Sequence, residues 1–187
     1  RLKVMARPNK IFLHLSFLLL TLVCGCSAPA NQPGEDDGRL KVVATTTIVG
    51  DVVAQVGGEY VALDVLLPVG ADPHTYDPAP RDVVKIANAD VVFASGLGLE
   101  TFLDTLIENA GTTGGGVKVS ESIAVPEPVE ESTEAHEDNA HAGDHEGSDP
   151  HTWTDPNNVI VWAEVIAAQL SELDPTHAGD YAANAAA

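Results

Sequence analysis

The chain has 187 residues, of which 44% are hydrophobic, and its formal net charge is −19 at pH 7. That length suits one domain with its own core, and the acidic balance argues against nucleic acid as a partner, because its phosphates would repel the chain. Both cysteines, Cys24 and Cys26, lie near the N-terminus, so the rest of the sequence has neither a disulfide framework nor a cysteine zinc site.

The N-terminal segment has the layout of a secretory signal. Basic residues precede an apolar run over residues 11–23, which is short for a membrane span. The run ends in Val23-Cys24-Gly25-Cys26-Ser27, which resembles the lipobox of bacterial lipoproteins and implies that Cys26 carries the lipid anchor. We therefore expect residues 1–25 to be a signal peptide and residues 26–39 a lipidated tether. Ordinary signal cleavage or an uncleaved helix is the alternative.

The chain after the tether alternates short apolar segments with helical patterns. Short β-branched or fully apolar runs predict strands at Leu40–Ala44, Val61–Leu67, Val91–Ala94 and Val117–Val119. Apolar spacing and Pro or Gly boundaries predict helices at Ile48–Val56, Pro80–Ala87, Leu99–Ala110 and Pro156–Leu170, and a last helix from Asp174-Pro175. This β-α-β order predicts an α/β fold, a parallel sheet flanked by helices on both faces.

One tetrapeptide occurs twice, as Asp72-Pro73-His74-Thr75 and as Asp149-Pro150-His151-Thr152. Each copy is followed by an aromatic residue, Tyr76 or Trp153, and then by another Asp-Pro pair. Proline fixes its own φ and restricts the residue before it, so each His lies in a stiff loop that leads to a helix. The first loop follows the carboxyl end of a predicted strand, where open α/β sheets bind ligands. Two rigid imidazoles predict a shared metal site; the alternative is an ordinary polar residue in each turn.

The segment Pro126–Asp149 differs in composition from the rest of the chain. It has nine acidic residues, no basic residue and three histidines, His136, His141 and His145. Its few apolar residues are small, so it cannot form part of a core. It is either an auxiliary collector of divalent cations or a solvated linker, and the sequence leaves both interpretations open.

Four segments resemble the metal-binding lipoproteins of bacterial ABC importers, the substrate-binding family for zinc, manganese or iron. They are Ala44–Asp51, Pro68–Pro80, Ala89–Glu100 and Asp149–Pro156. The resemblance covers nearly all of residues 40–187. It implies a protein of two α/β lobes that are joined by one long helix, with the metal held between the lobes by four side chains.

The resemblance implies that His74 and His151 are the first two metal ligands. The other two, a His or Glu and usually an Asp, come from a second lobe, which would follow the last residue of this sequence. We therefore expect residues 40–173 to be the N-terminal metal-binding lobe, with an acidic loop at residues 126–149, and residues 174–187 to be the start of the interlobe helix.

The function that the resemblance implies is transport without a chemical reaction. The protein would be a membrane-anchored lipoprotein at the cell surface or in the periplasm. It would capture Zn²⁺ or Mn²⁺ and deliver the ion to an ABC permease in the membrane. Imidazole suits Zn²⁺, and carboxylates in the ligand set also admit Mn²⁺. Alternatives are a metal-binding surface adhesin and a zinc hydrolase, although the hydrolase would need His-Glu-x-x-His and here His136-Glu137 is followed by His141.

The residues around the two histidines have expected supporting roles. A metal-binding His usually donates its second ring N–H to an acceptor, and Asp72 and Asp149 are candidates for that role. Each Asp can instead cap its own turn, and both interpretations remain open. We expect Tyr76 and Trp153 to pack the loops and His177 to be exposed to solvent.

Overall fold

The computed structural model describes residues 38–112, 116–123 and 149–187. The predicted signal peptide, most of the tether, Cys26 and the histidines of the acidic segment, His136, His141 and His145, lie outside the described residues.

Four strands of the described part of the chain form one parallel sheet. They are β1 (Leu40–Ala44), β2 (Val61–Val65), β3 (Val91–Ala94) and β4 (Val117–Lys118). Their order across the sheet is β2-β1-β3-β4, and every neighbouring pair is parallel. The predicted parallel sheet is confirmed. All four carboxyl ends therefore meet at one edge, which is the usual ligand edge of such a sheet.

Helices cover both faces of the sheet. The described ranges contain α1 (Thr47–Gly57), α2 (Pro80–Ala87), α3 (Leu103–Ala110), α4 (Pro156–Leu173) and α5 (Ala178–Ala185). One core joins the sheet to α1, α4 and α5 and includes Val53, Trp162 and Tyr181. The other joins the opposite face to α2 and α3 and includes Ile86 and Leu106. All four residues of β3 are buried. The strand is covered on both faces, which explains why its sequence is apolar throughout. No helix among the described residues has the length and apolar character needed to cross a membrane.

Side-chain caps and prolines set several helix starts. The Thr46 hydroxyl accepts a hydrogen bond from the Val49 amide at the start of α1. Asp155 accepts one from the Asn157 amide, with Pro156 at the first position of α4, as predicted. Asp174 caps the predicted last helix in the same way, but its first turn, Pro175–His177, is a 3₁₀ turn and α5 begins at Ala178.

The predicted start of α3 at Leu99 is wrong by four residues. The Leu99 amide donates to the Gly96 carbonyl and the Leu103 amide to the Glu100 carbonyl, so residues 96–103 are joined by turn-type bonds between residues three apart rather than by α-helical bonds. The helical spacing after Phe102 is real, but the residues before Leu103 form a loop.

Five other element ends shift by one to three residues. Two of them belong to α1, which begins and ends one residue outside its predicted bounds. β2 ends at Val65 rather than Leu67, because the chain bends although the Leu66 and Leu67 amides still donate to Ala44 and Thr45. β4 ends at Lys118, where a 3₁₀ turn over Val119–Ser122 follows. Helix α4 continues past Leu170 to Leu173, where Asp174 and Pro175 end it.

Candidate metal centre

The two predicted histidines lie side by side at the carboxyl edge of the sheet. His74 follows β2 and His151 precedes α4, yet their Nε2 atoms are 3.5 Å apart and their rings meet edge to face at 61°. Two imidazole nitrogens that bind one tetrahedral zinc ion at 2.0–2.1 Å are separated by about 3.4 Å. The pair therefore has the spacing of two ligands of one ion.

Both imidazoles are open to solvent, and the pair stands without further ligands in the part of the chain that the structure describes. The His151 side chain is 47% exposed. Within residues 38–112, 116–123 and 149–187, no group of three or more His, Cys, Asp or Glu side chains is arranged to hold a metal ion. A zinc site normally has four ligands. The arrangement can thus supply two nitrogen ligands and leaves the other coordination positions to water or to further groups.

Asp149 fixes the ring of His151. Its Oδ1 accepts hydrogen bonds from the His151 amide at 2.9 Å and from the His151 Nδ1 at 2.7 Å. These two contacts, the backbone one first, hold the pKa of Asp149 below its ordinary value of 3.8. An ionised carboxylate only accepts hydrogen bonds, so in the neutral imidazole this contact places the proton on Nδ1 and the lone pair on Nε2. That lone pair belongs to the nitrogen that faces His74.

Asp72 caps the turn of the first loop instead. Its Oδ1 accepts from the His74 amide at 2.9 Å, and its Oδ2 accepts from the Thr75 hydroxyl at 2.9 Å. The same two contacts lower the pKa of the Asp72 carboxyl. The Thr101 hydroxyl donates to the His74 carbonyl at 3.4 Å. The two interpretations of the aspartates are therefore resolved differently: Asp149 both caps its turn and orients a ring, whereas Asp72 caps.

The aromatic residue of each loop packs against a core. The Tyr76 hydroxyl donates to Asp82 Oδ2 at 2.9 Å, and its ring lies 5.2 Å from that of Phe102. Burial, followed by the Asp82 carboxylate, raises the pKa of Tyr76. Trp153 lies with its ring 5.2 Å from His151 and joins the core that contains Trp162. Both contacts agree with the expected packing role.

Two buried polar clusters behind the loops were not anticipated from the sequence. In the first, the Glu100 carboxylate accepts hydrogen bonds from the Thr45 hydroxyl and from two backbone amides. In the second, Trp162 Nε1 donates to Ser120 Oγ at 3.1 Å, and Ser120 Oγ lies 2.9 Å from Thr152 Oγ1. The one sequence signal for these clusters is that Glu100 and Thr152 lie in two of the segments that carry the family resemblance.

His177 is not freely exposed, which corrects the expectation for that residue. Its ring stacks on Tyr60 at 4.0 Å between centroids, and its Nδ1 lies 2.5 Å from Asp174 Oδ2. It follows the C-terminal end of α4, whereas His151 precedes the N-terminal end. Since α4 has 18 residues, it separates the two histidines by about 27 Å.

Comparisons with known proteins agree with this architecture. A family model described as zinc-uptake complex component A, periplasmic, matches residues 42–187. The manganese-binding lipoprotein MntA of Halalkalibacterium halodurans is 36% identical over 176 residues, which are 94% of this chain and 54% of the relative. The metal ABC transporter substrate-binding lipoprotein SsaB of Streptococcus sanguinis is 35% identical over 175 residues, which are 89% of this chain and 53% of the relative.

Solved structures give the same picture. The Mn-bound periplasmic metal binding protein from Candidatus Liberibacter asiaticus superposes with a TM-score of 0.65 at 26% identity, over 79% of this chain and 50% of that one. The chain thus spans about half the length of the relatives that it matches.

Proposed function

Because the chain belongs to the family of the periplasmic zinc-uptake complex component A, we propose that it is a metal-binding lobe of a substrate-binding lipoprotein that serves an ABC importer. It captures a divalent transition metal outside the cytoplasm and passes it to a membrane permease. The observation that carries this proposal is the 3.5 Å separation between the Nε2 atoms of His74 and His151.

The chemistry of the pair favours a transition metal over Ca²⁺ or Mg²⁺. Neutral imidazole nitrogen binds Zn²⁺ well, and Mn²⁺ becomes competitive when carboxylate or water oxygens complete the ligand set. The net charge of −19 raises the local concentration of any cation near the chain. Zn²⁺ and Mn²⁺ are therefore the cargo that we assign to this site. The names of a manganese-binding relative and of a Mn-bound structure support the assignment.

Capture and release require no bond to be made or broken in a substrate. We therefore propose a transport protein rather than an enzyme, in agreement with the transporter names of the relatives.

The organisation of the chain is part of the proposal. Residues 1–25 act as a signal peptide, residues 26–39 as a tether, residues 40–173 as the metal-binding lobe and residues 174–187 as the start of an interlobe helix. Relatives that are named lipoproteins support Cys26 as the lipid attachment site. Mass spectrometry of the mature N-terminus from a bacterial host tests this. A diacylated Cys26 is expected, and a free terminus at Ser27 or later contradicts it.

Metal binding is tested by calorimetric titration of the full chain. His136, His141 and His145 are first changed to Gln, so that auxiliary binding by the acidic segment does not contribute. This parent should bind one Zn²⁺ at neutral pH, and His74→Ala with His151→Ala should abolish that binding. Mg²⁺ and Ca²⁺ serve as controls, for which both proteins should show the same weak response. If the double variant binds zinc as the parent does, the proposed site is wrong.

A further inference from the structure

The carboxylate of Glu100 ties together the ends of two neighbouring strands. The side chain is buried, with 8% of the residue exposed. Its Oε1 accepts from the Thr45 hydroxyl at 2.6 Å and from the Ser95 amide at 2.8 Å, and its Oε2 accepts from the Gly96 amide at 3.1 Å. Thr45 directly follows β1 and Ser95 directly follows β3. A buried carboxylate is tolerated when donors surround it, and these donors lie at the edge of the sheet that carries the histidine pair.

The loop that Glu100 holds is strained. Three consecutive residues, Gly96, Leu97 and Gly98, have positive φ. Glycine adopts this geometry freely, so the strain lies at Leu97, which is the only non-glycine residue with positive φ in the described part of the chain. Strained backbone persists only where the surroundings enforce it, and it is concentrated at functional sites. The Ser95 and Gly96 amides donate to the Glu100 carboxylate. These hydrogen bonds join the start of the loop to the residue that follows its bend. We refer to residues 96–102 as the glycine loop.

The glycine loop contacts the loop of His74 at two points. The residue after Glu100, Thr101, donates its hydroxyl to the His74 carbonyl. Phe102 meets the Tyr76 ring at 5.2 Å, two residues beyond His74. A shift of the glycine loop would therefore move the backbone that carries the His74 ring, whereas the His151 ring is held by Asp149.

We propose that Glu100 is a positioning residue for metal capture: it fixes the glycine loop so that His74 stays within reach of the ion that His151 binds. It does so without touching the ion. This inference rests on the proposed metal-binding function of the pair. The expected consequence is that metal affinity depends on a carboxylate that accepts three hydrogen bonds behind the site.

Glu100→Gln is the informative change because it preserves the size of the side chain. A glutamine amide nitrogen only donates hydrogen bonds, so at least one of the three donors would face another donor. We expect zinc affinity to fall about tenfold, the lower end of the loss that follows removal of outer partners of metal ligands, because Glu100 acts on His74 only through its loop. We also expect the ring signal of His74 to respond to zinc at a higher concentration than the signal of His151.

The experiment is an NMR titration of the His74 and His151 ring signals with zinc alone. It uses the full chain with His136, His141 and His145 changed to Gln. In this parent both rings should shift together, because one ion binds both. Val56→Ala is the matched control. It removes buried apolar volume at the C-terminal end of α1, whereas Thr45, the partner of Glu100, precedes the N-terminal end. It should lower the melting temperature without separating the two signals.

Thr101→Val decides the question if Glu100→Gln does not fold. Thr101 is exposed, so its replacement removes the contact with the His74 carbonyl and leaves the core intact. It should weaken zinc binding, and the His74 signal should then respond at a higher zinc concentration. Thr101→Ser keeps the hydroxyl and should behave like the parent in both respects.

The outcomes distinguish failure of the proposed metal site from failure of the positioning role. If the parent shows no zinc-dependent shift of His74 and His151, the proposed function itself fails. If the parent binds zinc but Glu100→Gln keeps its affinity within twofold and both rings still shift together, the positioning role is overturned. The same conclusion follows if Val56→Ala loses as much affinity as Glu100→Gln, because general destabilisation then explains the effect.

Discussion

The two Asp-Pro-His-Thr loops have the same four residues and are held in different ways. In both copies the aspartate accepts a hydrogen bond from the histidine amide two residues later. Beyond that turn the copies diverge. Thr152 is buried and joins Ser120 and Trp162 in a hydrogen-bonded chain, whereas Thr75 is exposed and turns back to Asp72.

These contacts show which part of each loop is fixed. The His151 loop is anchored to the core by the buried Thr152, which contacts Ser120. The His151 ring is oriented by Asp149. The His74 loop is steadied from the side, through its backbone carbonyl and Thr101. A short motif thus sets the local turn, while the tertiary surroundings decide how the histidine of that motif is held. Four kinds of sequence change test this contrast.

The largest expected effect is the loss of either imidazole. His74→Ala and His151→Ala should each weaken zinc binding by about a hundredfold or more, because one remaining nitrogen binds zinc poorly. The double change should add little to either single change, since in the proposed site both rings hold the same ion. Calorimetric titration of the chain without the acidic-segment histidines measures all three. Affinity should also fall as the pH is lowered, because protons compete for the imidazole nitrogens. Independent, additive losses would mean two separate sites.

A smaller effect is expected from the two aspartates, and it should be unequal. Asp149→Asn should weaken zinc binding about tenfold, because the His151 ring loses the charged acceptor that orients it. Asp72→Asn, the matched control in the other loop, should change affinity by no more than about twofold. Equal losses from the two variants would remove the distinction between the loops.

The acid response of both turns follows from the pKa directions. Asp72 and Asp149 each have a pKa below the ordinary 3.8, so the stability that their contacts contribute is complete above 3.8. It is lost as the pH falls below 3.8 through the folded-state pKa.

The next comparison concerns stability and uses the two threonines. Thr152→Val should lower the free energy of unfolding by about 1–2 kcal/mol, because it leaves the buried Ser120 hydroxyl with one partner fewer. Thr75→Val should change it by no more than about 0.5 kcal/mol, as expected for an exposed side chain. Urea unfolding of both variants measures the difference. If Thr75→Val destabilises the chain as much as Thr152→Val does, then the burial of the threonine does not distinguish the two loops.

The smallest effect is expected from shortening the acidic segment, which leads into the His151 loop alone. Deletion of Glu130–Gly147 should leave the unfolding free energy almost unchanged, because the segment has no large apolar residues to bury. Circular dichroism melting tests this, with the full chain as reference. A loss of more than about 2 kcal/mol exceeds an ordinary surface change and would show that the segment packs against the rest of the chain.

Much of the architecture was predictable because it depends on local patterns. β1, β3 and α2 have the predicted bounds, since two are short apolar runs and the third begins at a proline. The pairing of His74 with His151 also followed from position, because one loop leaves a strand at the carboxyl edge and the other enters a helix there.

The remainder depends on contacts between distant parts of the chain. Identical tetrapeptides could not reveal that Asp149 orients a ring and Asp72 does not. A glutamate that follows apolar residues is ordinarily a surface residue, and Glu100 becomes a buried acceptor only because positive φ values at Gly96 to Gly98 fold its loop back. His177 was expected to be exposed because nothing local indicates that Tyr60 stacks on it.

The close approach of the two rings has a consequence for heat resistance. An ion held by both Nε2 atoms would cross-link positions 77 residues apart, and the unfolded chain does not keep those positions together. At a free zinc concentration a hundred times the dissociation constant, such a ligand raises the unfolding free energy by about 2.7 kcal/mol. We therefore expect the melting temperature to rise with zinc concentration, so that the fraction of the chain that stays folded on heating depends on how much metal its surroundings supply.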